Sequence, residues 1–225
     1  MDMIAEEIIR IHEALPEGVR LCAVSKFHPA EAVREAYDAG QRIFGESRVQ
    51  ELEQKVKVLP SDIVWHFIGH LQTNKVRKLI SLHPAMIESV DSLRLLEAID
   101  EASRKEGVVT KVLLQVHVAK EETKFGFLPE EILEYFDNKG FETLTSTHIC
   151  GIMGMASNTD DRERVATDFR SIADIYNKVG EKASAIGLRG FDTLSMGMSG
   201  DWPLAVEEGS NLVRIGSAIF GSRGY

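Results

Sequence analysis

The sequence predicts a single α/β domain, a (β/α)8 barrel of the TIM type, from three observations. First, eight short runs with β-strand character follow one another along the chain. Second, helical segments separate these runs, which predicts parallel strands joined by right-handed crossovers, and eight repeats close a barrel. Third, 225 residues with 44% hydrophobic content suffice for one large core. We therefore expect one domain over residues 1–225.

The predicted elements alternate in order. The strands are assigned to residues 20–26, 43–46, 64–69, 86–90, 111–118, 148–155, 192–197 and 212–219. The clearest helix follows the sixth strand, because apolar residues recur there at steps of three and four from Val165 to Ile186 and form one face. Weaker helical patterns lie at residues 29–39, 48–58, 72–82, 93–105, 129–138 and 202–208. An extra N-terminal helix, at about residues 2–15, precedes the first strand.

The composition favours a small-molecule partner. The chain carries 26 Lys and Arg against 35 Asp and Glu, a formal net charge of -9. Nucleic acid and anionic membranes attract basic surfaces, so we expect neither as a partner. No apolar run approaches transmembrane length, and the N-terminus lacks the basic start of a secretory signal. Cys22 and Cys150 lie in apolar segments without Cys-x-x-Cys spacing, which indicates reduced core residues of a cytoplasmic protein.

Lys26 is the leading candidate for chemistry. It ends the first predicted strand, an apolar run that begins at Leu21, shortly before Pro29. Burial disfavours the ammonium form of a lysine and lowers its pKa, and a neutral amine can attack a carbonyl carbon to form a Schiff base. Barrel enzymes place their chemistry at the carboxyl ends of the strands, which is where Lys26 lies.

The loops after the seventh and eighth predicted strands suit an anion. Ser199 lies in a small, hydroxyl-rich loop, while Arg214, Gly216 and Ser217 supply a cation, a close backbone approach and a hydroxyl. Phosphate sites in these barrels often use these two loops. Ordinary turns and an ordinary ion pair of Arg214 are the alternative explanations for the single elements. These residues and Lys26 all lie at the carboxyl ends of predicted strands, on the same end of the barrel, and this joint placement favours a phosphate site.

Two histidines raise a metal hypothesis that the strand assignment rejects. His66 and His70 are four residues apart, a spacing that would place both on one face of a helix. On a strand, at ~3.3 Å per residue, their backbones lie roughly 13 Å apart, too far to share one ion. We therefore interpret His66 as a packed or hydrogen-bonded residue, His70 as a rim residue, and the chain as having no metal site.

Seven short motifs follow one another along the chain. They are Ala23-Val24-Ser25-Lys26, Phe44-Gly45-Glu46, Trp65-His66-Phe67-Ile68-Gly69-His70-Leu71-Gln72, Lys124-Phe125-Gly126-Phe127, Gly151-Ile152-Met153, Leu194-Ser195-Met196-Gly197-Met198-Ser199 and Val213-Arg214-Ile215-Gly216. In this order and together, the motifs resemble those of the YggS/PROSC group of pyridoxal phosphate homeostasis proteins, and the similarity covers nearly the whole chain.

The resemblance implies a barrel like the N-terminal domain of alanine racemase, with pyridoxal 5'-phosphate held on Lys26 as a Schiff base. It also implies that Arg214 contacts the pyridine nitrogen and that Ser199, Gly216 and Ser217 hold the phosphate. An arginine keeps its proton, so it should leave the ring nitrogen unprotonated and the ring a poorer electron sink. Enzymes that need a strong sink typically place an acidic partner there.

Four further residues are candidate cofactor contacts: Ser47, Met153, His66 and Lys124. The family commonly has Asn followed by Tyr where this chain has Ser47 and Arg48. The shorter hydroxyl cannot reproduce an amide contact, so Ser47 acts through a water or has no contact. Met153 is otherwise typical of adaptable packing, and Lys124 of a solvated loop lysine.

The resulting functional prediction is a protein that holds pyridoxal phosphate for intracellular vitamin B6 homeostasis, without substantial catalysis. We expect a cytoplasmic monomer, with unidentified apo-enzymes that use the cofactor as candidate recipients.

Two enzymatic alternatives are open. An amino-acid racemase of the alanine racemase type needs a second acid or base, supplied by a tyrosine of an additional domain. We expect no such domain in a chain of this length, and Tyr37, Tyr135 and Tyr176 lie in predicted helices, with Tyr225 at the terminus. A Schiff-base aldolase acting on a sugar phosphate would need a proton-transfer residue beside Lys26, and the sequence offers no convincing candidate.

Overall fold

Eight parallel strands close into a barrel in strict chain order. The structure is a computed structural model that describes residues 3–118, 125–185 and 187–221. Each strand pairs with the next, and β8 pairs with β1 through registers such as Leu21 opposite Val213. The strands are β1 (Arg20–Val24), β2 (Ile43–Glu46), β3 (Val64–Phe67), β4 (Met86–Val90), β5 (Thr110–Gln115), β6 (Thr147–Met153), β7 (Thr193–Ser195) and β8 (Leu212–Ile215). The predicted (β/α)8 barrel is confirmed.

Helices connect the strands, and the extra N-terminal helix precedes β1. They are α1 (Met3–Ala14), α2 (Ala30–Asp38), α3 (Val49–Val56), α4 (Val76–Ile80), α5 (Leu93–Glu106), α6 (Pro129–Asp137), α7 (Arg162–Ala185), α8 (Trp202–Glu207) and α9 (Ser217–Phe220), with 3-10 turns at Thr73–Lys75 and Gly140–Thr143. Local chemistry sets their ends. The Ser92 hydroxyl accepts a hydrogen bond from Leu95 N at the start of α5, and Gly107, at φ 73°, ends that helix in the left-handed conformation. None of the helices within the described residues is long and apolar enough to cross a membrane.

Most predicted strands extend too far at their carboxyl ends. β1 stops at Val24 instead of residue 26, and β8 stops at Ile215 instead of residue 219, after which α9 begins. The apolar pattern continues past the end of the ladder because loop residues such as Ile68 and Met155 line a cavity there. An apolar loop of this kind cannot be told from a strand by its pattern alone.

Side chains alternate between the inside of the barrel and the helical layer. Phe44 of β2 packs on the outside against Trp65, with ring centroids 5.9 Å apart. Gly45 faces inward, where an added Cβ would lie 2.9 Å from Cys22 Sγ. Cys22 and Cys150 are buried free cysteines, as predicted. Among the described residues, the inside of the barrel next to Gly45 is therefore closely packed.

Candidate functional site

A cavity of about 320 Å³ opens among the loops at the carboxyl ends of the strands. Its wall combines apolar side chains with a lysine, an arginine and hydroxyls. The lining residues are Val24, Lys26, His28, Ile68, Met153, Met155, Met198, Ser199, Gly200, Arg214, Gly216, Ser217 and Gly221. The loops that follow β1, β6, β7 and β8 thus contribute to one site, at the end of the barrel where the sequence predicts chemistry.

Lys26 lies in the turn after β1 and lines this cavity. The lysine is half-buried. Backbone N–H of His28 donates to the Ser25 carbonyl over 3.1 Å and closes the turn. Phe27 adopts φ 68°, in the left-handed region that residues other than glycine rarely occupy. The lysine predicted at a strand end is therefore presented by a tight and unusual turn.

Arg214 of β8 is 5% exposed and reaches the cavity from the barrel interior. Its Nη1 donates to Ser195 Oγ over 2.6 Å, and its Nη2 donates to the Gly154 carbonyl over 3.0 Å. Among the described residues these bonds use two of the five guanidinium donors. Arg214 is thus fixed in place by β7 and by the loop after β6.

A buried carboxylate balances the Arg214 charge. Glu88 Oε2 lies 3.8 Å from Arg214 Nη1 and accepts a 2.6 Å hydrogen bond from Ser195 Oγ, while Glu88 Oε1 lies 2.6 Å from His66 Nδ1. Because β4 and β8 are not neighbours, Glu88 and Arg214 meet only through the barrel interior. Burial favours a higher pKa for Glu88, but the His66 hydrogen bond and the charges of His66 and Arg214 outweigh it and lower this pKa. The carboxylate stays charged.

Cys22 completes a buried cluster with His66 and Glu88. One sulfur, nitrogen or oxygen atom of each lies within 4.8 Å of those of the other two. Burial, reinforced by the Glu88 charge, raises the pKa of the Cys22 thiol well above its ordinary value, so the thiol is neutral. His70 is separated from this cluster: its Nδ1 lies 2.8 Å from Asp91 Oδ2, and its ring stacks on Phe125 at the rim.

The loops after β7 and β8 are joined at Ser199. Its Oγ accepts hydrogen bonds from the backbone N–H groups of Gly216, at 3.2 Å, and Ala218, at 3.4 Å. Gly216 also passes close to β1, since a Cβ there would lie 3.1 Å from the Val24 carbonyl oxygen. Ser217 is exposed at the cavity wall. Two hydroxyls and these amides therefore cluster on the side of the cavity formed by β7 and β8.

The structure gathers most of the predicted site residues, but not all. Met153 lines the same cavity as Lys26 and Arg214. His66 lies within the buried polar cluster, hydrogen-bonded as the sequence indicates. Ser47 is half-buried, with its backbone so close to Gly69 that a Cβ on that glycine would lie 2.3 Å from Ser47 O. Neither His66 nor Ser47 belongs to the described lining. Lys124 lies outside the described residues.

Sequence reasoning missed the residues that hold Arg214 and the turn of Lys26. Glu88 is a lone carboxylate in the apolar run Met86 to Val90, and that contrast is a usable signal. Ser195 carries no such signal. Lys55 is 4% exposed although its helix has an ordinary amphipathic pattern, so only the structure identifies it.

Comparison with known proteins assigns the chain to a family. A model for the alanine racemase N-terminal domain matches residues 1–224. The Helicobacter pylori protein named "Pyridoxal phosphate homeostasis protein" is 38% identical over 203 residues, which are 90% of this chain and 87% of that protein. Synechococcus elongatus PipY, solved with PLP bound, is 38% identical, with a TM-score of 0.86 over 97% of this chain and 100% of that one.

Alanine racemase of Clostridium difficile shares the fold alone, with 16% identity and a TM-score of 0.79 over 99% of this chain and 57% of that chain. The family match and the two closer relatives agree with the resemblance carried by the motifs. This chain belongs to the family of pyridoxal phosphate homeostasis proteins, built on the alanine racemase N-terminal domain.

Proposed function

We propose that the chain binds pyridoxal 5'-phosphate covalently through Lys26 and serves pyridoxal phosphate homeostasis. One observation carries the proposal: Lys26 and Arg214 line the same cavity, at the carboxyl end of a barrel whose relative PipY was solved with PLP bound. The volume of about 320 Å³ lies at the lower end of the roughly 300–1,000 Å³ typical of small-molecule sites. A compact ligand suits it.

The residues present fit the cofactor's functional groups. Val24, Ile68 and Met153 offer an apolar wall for a pyridine ring. Ser199 and Ser217 offer hydroxyl groups for a phosphate beside Gly216, whose N–H donates to Ser199 Oγ in this structure. Lys26 offers the amine for an aldehyde. We assign these residues the roles that the family resemblance implies.

Arg214 is proposed to donate a hydrogen bond to the pyridine nitrogen. When bound, the cofactor supplies a reactive aldehyde and an electron sink. A guanidinium keeps its proton, and Arg214 Nη1 lies 3.8 Å from Glu88 Oε2, so we propose that Arg214 leaves the nitrogen unprotonated. The arrangement favours storage of the aldehyde over carbanion chemistry.

No tyrosine among the described lining residues supplies the second acid or base that an alanine-racemase-type enzyme needs. Tyr37 lies in α2 and donates to Asp62, Tyr135 lies in α6, and Tyr176 lies in α7 stacked on Phe191. None of these tyrosines lines the described cavity. We therefore propose a carrier without substantial catalysis. Its buried free cysteines fit a reducing, cytoplasmic compartment.

Substitution of Lys26 tests the proposal. Wild-type protein incubated with pyridoxal 5'-phosphate should gain a visible absorption band and keep the cofactor after borohydride reduction. Lys26→Ala should do neither, because it lacks the amine. Lys57→Ala, which removes an exposed lysine, should behave as wild type. Equal borohydride fixation in Lys26→Ala and wild type would disprove the assignment.

A further inference from the structure

A second lysine, Lys55 of α3, is buried beside the turn that carries Lys26. Its Nζ donates to Glu46 Oε1 over 2.6 Å, to the Ser25 carbonyl over 2.8 Å and to Glu51 Oε1 over 3.0 Å. An ammonium group has three donors, so these bonds can satisfy all of them. A lysine is almost never fully buried unless it is paired. The function proposed above gives this arrangement no role.

The same network holds both neighbours of Lys26. Ser25 Oγ donates to Glu46 Oε1 over 2.6 Å, so both the side chain and the carbonyl of Ser25 join the network. On the other side, Phe27 N donates to Glu51 Oε1 over 2.6 Å. The left-handed conformation of Phe27, at φ 68°, costs free energy and persists only where the surroundings fix it. The Glu51 bond is one such restraint.

Lys55 connects the two carboxylates that make these contacts. Burial raises the pKa of Glu46 above its ordinary value, and the charge and hydrogen bond of Lys55 limit that rise, so the ammonium favours the charged carboxylate. Glu51 is less buried, with 18% of its side chain exposed. Without the ammonium, two carboxylates would face each other in a buried space. Lys55 is thus the group on which the network depends.

We propose that Lys55 is a positioning residue for Lys26. Through Glu46 and Glu51 it fixes Ser25 and Phe27, and thereby presents the Lys26 amine to the cavity. The inference rests on the proposed function, in which Lys26 Nζ adds to an aldehyde carbon, a C=N bond forms and the carbonyl oxygen leaves as water. The strand itself ends at Val24, so the turn relies on other support. Fixed orientation of this kind accelerates bond formation.

The test compares Lys55→Met with wild type in two assays. Stopped-flow absorbance measures the rate of covalent attachment of pyridoxal 5'-phosphate. Equilibrium titration measures the affinity for pyridoxine 5'-phosphate, which has the ring and phosphate but no aldehyde. We expect attachment to slow by about tenfold or more, with the affinity for pyridoxine 5'-phosphate within about twofold, because its phosphate loops lie beyond β7 and β8 and outside this network.

Matched variants separate positioning from general damage. Lys57→Met removes an exposed lysine two residues away and should leave both quantities unchanged. Lys55→Arg keeps the positive charge and should restore part of the rate. Hydrogen exchange of the unliganded protein should show faster exchange at the Phe27 amide in Lys55→Met only.

Two results would overturn the inference: attachment by Lys55→Met at the wild-type rate, or equal losses of attachment rate and pyridoxine 5'-phosphate affinity. If Lys55→Met fails to fold, Glu51→Ala takes its place, since it removes the acceptor of Phe27 N and leaves the Glu46–Lys55 pair intact. A wild-type attachment rate in Glu51→Ala would then refute positioning. Covalent attachment that persists in Lys26→Ala would instead refute the proposed function. The two failures are distinguishable because the Lys26 variant tests the attachment site and the Lys55 variant tests its positioning.

Discussion

Substitution of Glu88 by glutamine should destabilise the fold by about 3 kcal/mol. Glutamine keeps the shape of the side chain but removes the charge that faces Arg214 at 3.8 Å. At an effective dielectric constant of about 20, that attraction amounts to roughly 4 kcal/mol. One hydrogen bond to the charged carboxylate, worth about 1.5–3 kcal/mol, is also lost or weakened. A neutral amide costs less to bury than a carboxylate, and this gain offsets part of the two losses. The net cost of about 3 kcal/mol is the lower end of the range of about 3–5 kcal/mol for removing one partner of a buried ion pair.

Urea unfolding followed by circular dichroism measures this free energy. A loss of this size should lower the melting temperature by roughly 6–12 °C in a domain of this length. The control is Glu101→Gln, which removes an exposed carboxylate paired with Lys105 on α5 and should leave stability unchanged. Arg214→Gln combined with Glu88→Gln should cost less than the two single losses added together. Wild-type stability of Glu88→Gln, or strict additivity with Arg214→Gln, would refute the buried ion pair.

Two further predictions concern the charge of Glu88 and the close backbone approach at Gly216. Folding lowers the pKa of Glu88 below its ordinary value of 4.5, so the folded state binds fewer protons than the unfolded chain. The stability advantage of wild type over Glu88→Gln should therefore be complete above about pH 4.5 and shrink as the pH falls through the pKa of Glu88 in the folded state. Urea unfolding of both proteins in a pH series measures this advantage. An advantage that stays constant as the pH falls would contradict the prediction. Gly216→Ala should cost about 1–3 kcal/mol, because its Cβ would lie 3.1 Å from Val24 O. Gly200→Ala, whose Cβ would meet no atom within 4 Å, is the control, and equal stability of the two variants would contradict the close approach.

The order and number of the strands could be predicted because they are local properties of the sequence. Apolar runs, helical periodicity and turn residues recur at short range, and alternation then implies the barrel. The strand ends could not be predicted in the same way. Ile68 and Met155 continue the apolar pattern but line the cavity instead of extending the ladder. An apolar pattern in the sequence indicates that a residue is buried, but it does not show whether the residue belongs to a strand or to a loop that lines a cavity.

Members of the candidate site could be proposed from the sequence where a residue contrasts with its neighbours along the chain. Lys26 ends an apolar run of the sequence and Arg214 interrupts one, so their sequence positions mark them. The partnership of Arg214 with Glu88 could not be read in this way, because more than 100 residues separate them and only closure of the barrel brings β4 and β8 face to face. Lys55 lies on a helix that resembles any amphipathic surface helix, and its burial follows from the packing of α3 against the turn of Lys26.

Peptide mapping is the most direct test of whether Lys26 is the covalent attachment site. Wild-type protein is incubated with pyridoxal 5'-phosphate, reduced with borohydride, digested and analysed by tandem mass spectrometry. We expect one dominant phosphopyridoxyl group, on the peptide that contains Lys26. A dominant modification of any other lysine, Lys55 included, or a modification spread evenly over exposed lysines, would contradict it.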